Sequence, residues 1–487
     1  MEMEKLKEFE HIFYPRTVAV IGASQEEEYT HAYMSTKMRD NLFLVNPKYK
    51  EILGKRCYAS LLDIEEDIDY ITITVAASLV PKILGEAIEK GVKLAHIFTA
   101  GFSESGMEER IRLENEIKEI AKGKIRLIGP NGMGIYCPQS GLSFNKDSLN
   151  EEGSVGVISQ SGTFAQLFFS VGKVRNMRFS KAISYGNAID LDCPDFLEYL
   201  ADDPKTKVIA LYIEGTRNGK RLKLALEEAV KKKPVVVLKG GVTKGGGRVA
   251  LSHTGSLGGS PEIWSSLFRQ TGVIQAANFD ELFSTVLAFT CCPLPAGKGV
   301  SIVTNSGGYS VIKTDACIKA GLEVPPYDEE TAKKLRKIIP IPGASIGNPL
   351  DSWHIYASIY ADTSEIPGTI TDVIDIIAND KNIHSLVLHF SKLKYLARLA
   401  GEGSEKRSEK LLNTMLSECQ YVRDELGKPV MICISIDTYS EDEEDRRYHL
   451  LFKKAFESRQ FPVYESLDAS IKALHNLYRY STWLRNK

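Results

Sequence analysis

One segment of this 487-residue chain holds a histidine among small and hydroxylated residues, Leu251-Ser-His-Thr-Gly-Ser-Leu-Gly-Gly-Ser260, just after a glycine-rich run at 240–247. Little bulk surrounds the ring of His253, so ligands can approach it and the backbone carrying it can move. His253 is therefore a candidate reactive group. Imidazole is largely unprotonated near neutral pH and can carry phosphate covalently between partners. The bland alternative is that the Gly/Ser cluster is an ordinary loop.

Other residues fit the same chemistry. Ser161-Gly162 precede the helical run Thr163-Phe-Ala-Gln-Leu-Phe-Phe169. A hydroxyl and backbone N–H groups at a helix start can bind phosphate, or the serine is a plain N-cap. Glu214 ends the apolar run Val208-Ile-Ala-Leu-Tyr-Ile213, where a carboxylate is costly to bury without a partner. A histidine would serve, because a carboxylate on one ring nitrogen leaves the other free as a nucleophile; a surface lysine is the other choice. Together the three features describe a phosphohistidine site. Serine hydrolysis fits less well, since no Gly-x-Ser-x-Gly elbow is present.

The first third offers Gly22-Ala-Ser24 after an apolar strand and Asn46-Pro-Lys48 after the next. Glycine permits close backbone approach to a phosphate, and Lys48 can neutralise charge there. A full Gly-x-Gly-x-x-Gly is missing, as is an acid ending the second strand to grip a ribose. NAD is disfavoured, whereas another phosphorylated nucleotide such as coenzyme A stays open.

The elements that must position these residues follow one repeated pattern, a short apolar strand, a Gly/Ser turn and a helix. It starts at Val18, Val155 and Val300, about one domain length apart. Apolar runs alternate with amphipathic helical ones throughout, the signature of parallel sheets covered on both faces. Strands are expected at 17–21, 42–45, 70–75, 94–99 and 125–128, then 154–158, 180–184, 207–213 and 234–238, then 300–304, 384–389, 428–434 and 462–464. The spacing predicts late helices over 408–425, 443–458 and 467–483. The expected fold is α/β with three doubly wound domains, spanning 1–136, 150–292 and 298–487. In open parallel sheets ligands gather beyond the carboxyl ends of the strands, which puts Ser159-Gln-Ser-Gly162, Tyr185-Gly-Asn187, Glu214 and Lys239 on one edge.

Composition limits the partners. Lysine and arginine total 61 against 63 acids, and no basic stripe interleaved with aromatics suggests nucleic acid. The longest apolar runs are strand-length, short of a membrane span, and the charged first residues lack a signal peptide's apolar core. A cytoplasmic location is expected. Eight scattered cysteines, with no Cys-x-x-Cys spacing, predict neither zinc nor disulfides.

Several segments in this order make a specific resemblance. They are Asn46-Pro-Lys48, Thr99-Ala-Gly-Phe-Ser-Glu104, Ile128-Gly-Pro-Asn-Gly-Met-Gly-Ile135, Ser159-Gln-Ser-Gly-Thr163, Ser184-Tyr-Gly-Asn187, Leu211-Tyr-Ile-Glu-Gly215, Ser252-His-Thr-Gly255, Thr304-Asn-Ser-Gly-Gly308 and Asn348-Pro-Leu-Asp351. Over nearly its whole length the chain resembles the α subunit of ADP-forming acyl-CoA synthetases, in the succinyl-CoA synthetase superfamily. Two stretches depart from that family's pattern, Gln25-Glu-Glu-Glu-Tyr-Thr30 and Val75-Ala-Ala77.

The resemblance implies a Rossmann-like CoA-binding domain followed by two flavodoxin-like CoA-ligase domains. It implies an acid–thiol ligase interconverting acyl-CoA, ADP and phosphate with the free acid, CoA and ATP through an acyl phosphate and phospho-His253. Glu214 would support the histidine, and Ser161, Gly162 and Gly255 would hold phosphate. CoA would meet Gly22, Ser24, Asn46, Lys48, Val75, Ala76 and Asn131, and Gln160 would meet the acyl substrate. Trp353 and His354 border that pocket or simply pack. ATP or ADP with Mg2+ would be bound mainly by a partner, an ATP-grasp β subunit in an α2β2 assembly, because no ATP-grasp domain is recognisable in the chain. Alternatives are a superfamily member using the site for another acyl-CoA reaction and a non-catalytic CoA-binding regulatory or scaffold subunit.

Overall fold

The computed structural model describes residues 3–144, 146, 150–243, 245–247, 260–304, 307–339, 346–351, 368–391, 404–435 and 443–487. Its contacts divide the chain into two compact units, Met1–Asn278 and Phe279–Lys487.

The first unit holds two sheets. Strands β1 (Val18–Ile21), β2 (Leu42–Val45), β3 (Glu51–Ile52), β4 (Lys55–Tyr58), β5 (Tyr70–Ile73), β6 (Leu94–Ile97) and β7 (Arg126–Ile128) lie in the order β3-β4-β2-β1-β5-β6-β7. All neighbours are parallel except the β3–β4 hairpin. Leaving out β3, this is the doubly wound dinucleotide-type order, with its switch point between β1 and β5. β1 and β5 are buried at every position, which is why they read as continuous apolar runs rather than alternating ones. The hairpin was not expected. Its strands are short and charged, and Leu53-Gly54 turn with φ of 49° and 77°.

The second sheet contains β8 (Gly134–Tyr136), β9 (Glu152–Ser159), β10 (Phe179–Ser184), β11 (Val208–Ile213), β12 (Val235–Lys239) and β13 (Ile274–Ala276), in the order β13-β12-β11-β9-β10-β8. The five strands from β9 onward are parallel in the flavodoxin-like arrangement, and β8 adds an antiparallel edge beside β10. Gly134–Tyr136, at the end of the stretch expected to form the first domain, thus belongs to the second sheet. Register pairs Ile135 with Ile183 and buries both.

In the second unit β14 (Val300–Thr304), β15 (Leu350–Asp351), β16 (Ser385–Phe390), β17 (Val430–Ile434) and β18 (Val463–Tyr464) form a parallel sheet ordered β15-β14-β16-β17-β18. This is again flavodoxin-like. The helix Phe279–Cys291 belongs to this unit. Its buried face meets the last helix, Leu467–Arg485: Asn476 Nδ2 donates to Thr285 Oγ1 at 3.0 Å, and Phe289 stands edge-on to Tyr480. At the carboxyl edge of this sheet a fully buried Lys313 donates to Thr304 Oγ1 at 2.8 Å and to His389 Nδ1 at 2.5 Å.

Candidate functional site

The carboxyl ends of β9, β11 and β12 meet at the switch point of the second sheet, where strand order reverses and loops part. Gln160 follows β9 and is buried. Its Oε1 accepts from the amides of Glu214 and Gly215 at 2.8 and 3.1 Å. Glu214 follows β11 and is 5% exposed. Tyr212 precedes it by two residues, so both side chains share one face of the strand, and Tyr212 Oη donates to Glu214 Oε1 at 3.0 Å. Lys239 ends β12. Its Nζ donates to the Glu214 main-chain oxygen at 2.7 Å and to the Gly240 carbonyl, and lies 4.9 Å from the Trp264 ring centre. Burial pushes the Lys239 pKa down to about 8, with Glu214 opposing the shift.

Tyr212 and Trp264 were missed from sequence. The i, i+2 spacing on an apolar strand was the available signal for Tyr212. The signal for Trp264 was weaker, an aromatic early in the helix Pro261–Thr271 that follows the Gly/Ser segment. Lys239 and Trp264 thus approach each other from the two sides of the segment that carries His253. His253 and Gly255 themselves lie outside the described residues, as do Trp353 and His354.

Ser161 caps the helix Gly162–Val174, its Oγ accepting from the Phe164 amide at 3.5 Å. Its own N–H donates to Ser159 Oγ at 3.2 Å. The serine therefore serves as an N-cap, and among the described residues no bond engages the Gly162 or Thr163 amide. Those two donors remain for an anion. Gly162 also has a packing reason to be glycine: a Cβ there would stand 2.9 Å from Met133 Cγ.

Met133 ties this helix end to the first sheet. Its carbonyl accepts from Tyr29 Oη at 2.9 Å, and its amide donates to Ser184 Oγ at 3.0 Å. Next to it, Asn187 Nδ2 donates to Glu104 at 2.7 Å and Glu114 at 3.1 Å, and the Asn187 amide donates to Pro130 O at 2.9 Å. The loops of the two sheets are thereby interlocked within one unit.

At the carboxyl edge of the first sheet the expected CoA residues converge. Gly22 has φ of 99°, and a Cβ on it would strike Thr74 Oγ1 at 2.7 Å and Val75 Cγ1 at 3.0 Å. Asn46 Nδ2 donates to Ala23 O at 2.8 Å, and its Oδ1 accepts from the Lys48 amide at 3.0 Å. Thr99 Oγ1 donates to Val75 O at 2.6 Å, and Thr99 O accepts from the Asn131 amide at 3.1 Å. Asn131 takes a φ of 60°. Gly22 and Asn46 hold the turns, whereas Lys48 and Ala76 stand exposed. These residues fit the arm of CoA. The turn Ser24–Thr30 fits its diphosphate poorly, because Ser24 and Glu27 already accept from the Glu26, Glu27, Tyr29 and Thr30 amides and three glutamates stand together there.

Among the described residues no group of His, Cys, Asp and Glu could hold a metal, and no helix is long and apolar enough to cross a membrane.

Three domain families match the chain: a CoA binding domain over 16–138, a succinyl-CoA ligase like flavodoxin domain over 152–289, and a ligase-CoA domain over 300–452. The chain is 32% identical to the acetate–CoA ligase [ADP-forming] I subunit alpha of Pyrococcus furiosus, covering 97% of this chain and 98% of that one. It is 41% identical to the isoform II subunit alpha of the same organism over 70% of this chain and 75% of the relative. With the acetate–CoA ligase [ADP-forming] of Methanocaldococcus jannaschii identity is 42% over 71% of this chain. The chain spans about half the length of that relative, 49%. Among solved structures, an acetyl-coenzyme A synthetase 1 from Ca. Korarchaeum cryptofilum, in complex with phosphate and ADP, aligns with a TM-score of 0.82 at 25% identity over 98% of both chains. A Pyrococcus horikoshii OT3 protein aligns with a TM-score of 0.78 at 30% identity, over 98% of this chain and 99% of that one.

Proposed function

Because the chain belongs to the family of ADP-forming acetate–CoA ligases, we propose that it is the α subunit of an ADP-forming acyl-CoA synthetase. In this reading it interconverts acyl-CoA, ADP and phosphate with a carboxylic acid, CoA and ATP. His253 takes the phosphoryl group of an acyl phosphate and passes it to ADP. The observation that carries the reading is the buried Glu214, held at the switch point by Gln160 and Tyr212. A carboxylate so placed can orient an imidazole and favour its charged form while phosphate is transferred.

The Gly162 and Thr163 amides, at the positive end of a helix dipole, would hold the phosphate, with Gly255 beside His253. The NH2 end of Gln160, whose oxygen is already engaged, would face the acyl group. Lys48, Val75, Ala76 and Asn131 would hold CoA over the Gly22 turn, with Ser24 and Asn46 shaping it; CoA, when bound, supplies the thiol that takes the acyl group. The functional division would follow three segments, 1–136, 150–292 and 298–487. An ATP-grasp β subunit would bind ADP and Mg2+ and complete an α2β2 assembly in the cytoplasm.

Incubation of the chain with its ATP-grasp partner and labelled ATP tests the reading. Acid-labile, base-stable label on this chain, lost in His253→Ala, is expected. Absence of label, or label that survives the substitution, overturns it.

A further inference from the structure

The turn after β1 stands where an open parallel sheet usually receives the phosphates of a nucleotide, with backbone N–H groups pointing at the ligand. Here several of those groups are already used. Ser24 Oγ accepts from the Glu26 amide at 3.3 Å, and Ser24 O from the Glu27 amide at 3.4 Å. The Glu27 carboxylate accepts from the amides of Tyr29 at 2.9 Å and Thr30 at 2.7 Å, and from Thr30 Oγ1 at 2.9 Å. Four donors of this turn and helix start, the amides of Glu26, Glu27, Tyr29 and Thr30, are therefore satisfied by the chain's own oxygens.

Charge points the same way. Glu26 and Glu28 flank Glu27 and are exposed, so an incoming diphosphate meets three carboxylates at one turn. The turn is also anchored from below. Tyr29 is buried and bonded to Met133 O, so the start of the helix Glu28–Met34 cannot shift without breaking that link.

We infer that this chain recognises its thiol ligand by the pantetheine arm and leaves the nucleotide diphosphate outside the turn, with Glu27 as the residue that excludes it. The inference rests on the CoA reading above and narrows it to a ligand class, thiols of the pantetheine type with or without a nucleotide. CoA and pantetheine should then bind the wild-type chain with similar strength. Removing Glu27 should restore a preference for CoA.

Calorimetric titration of the full chain with CoA and with pantetheine provides the test. In the wild type the two dissociation constants should agree within about tenfold. Glu27→Ser keeps a side chain able to cap the helix. It should tighten CoA binding by about three- to tenfold at low salt, with the gain shrinking at high salt as the lost repulsion is screened. Pantetheine affinity should not change. Glu27→Gly is the second variant if the serine protein is poorly folded. Wild-type binding of CoA hundreds of times tighter than pantetheine, or a Glu27→Ser variant that binds CoA no better, overturns the inference and leaves the CoA reading intact. Binding of neither thiol by any variant overturns the CoA reading itself, and this inference with it.

Discussion

Tyr212 Oη donates to Glu214 Oε1 at 3.0 Å from the same face of one buried strand end. The phenol sits on an otherwise apolar strand, and its bond fixes one oxygen of the carboxylate while Gln160 fixes the backbone beneath it. A carboxylate restrained twice in this way is preorganised toward whatever approaches from the open edge.

Substitution of Glu214 by Gln keeps the shape and removes the charge. Phosphorylation of His253 should slow by about a hundredfold or more, the scale of a lost acid–base group. Thermal stability should change little, because the amide can still accept from Tyr212. Quench-flow labelling beside a melting curve separates the two effects.

Gly162→Ala places a methyl group 2.9 Å from Met133 Cγ. Overpacking of this kind costs about 1–3 kcal/mol, more than the gain of about 0.5–1 kcal/mol from alanine in a helix. The variant should melt lower than wild type. Gly162→Ala combined with Met133→Ala should lose less than the sum of the single losses, a coupling that a double-mutant cycle reads directly.

Lys181 is fully buried, 3.0 Å from Asp203 Oδ2, with the rings of Phe13, Tyr14 and Tyr199 5.3–5.8 Å from its Nζ. Phe13 closes the first helix, Met3–Phe13. Lys181→Met strands a buried carboxylate and should cost about 3–5 kcal/mol. Limited proteolysis should then cut near the first helix faster than in wild type.

Lys239 carries a pKa of about 8 in the folded chain against an ordinary 10.5, chiefly through burial. Between those values the unfolded chain binds the extra proton, so this residue's contribution to stability rises with pH from about 8 upward. Below that range its charged form is penalised in full. Lys239→Met should remove this dependence. The thermal midpoint of wild type relative to the variant, followed from about pH 7 to about pH 11, should climb through the window.

Burial first, and the neighbouring Lys313 second, push the pKa of His389 down to about 3. Lys313→Met should raise it part of the way toward the ordinary value. Proton NMR of the histidine rings against pH reports the shift, and an unchanged value would show that the Lys313 charge does not reach His389.

Much of the architecture was legible in the sequence. β2 and β14 match the expected runs at 42–45 and 300–304, and β10, β11 and β16 fall within one residue of theirs. A strand buried on both faces must be apolar at every position, so its ends are marked where polar residues resume. The small strands β3, β4, β8, β13 and β15 were not legible. At two to four residues, their hydrophobic pattern is too short to separate from a loop, and partners from elsewhere in the chain make them strands.

The site divides along the same line. By itself the sequence determined which residue types were available and where the backbone must turn. Gly22 at φ 99° and the Ser161 cap are local properties, and a strand ending in Glu214 announces a carboxylate at a sheet edge. Tertiary structure decided what those residues touch. Gln160 meets Glu214 across 54 positions and Tyr29 meets Met133 across 104. No local pattern encodes such pairs, because strand order and register, set by burial of the whole sheet, bring them within hydrogen-bond reach. The same holds for the turn after β1: its glutamates were plain in the sequence, but only the fold showed Glu27 accepting from the Tyr29 and Thr30 amides.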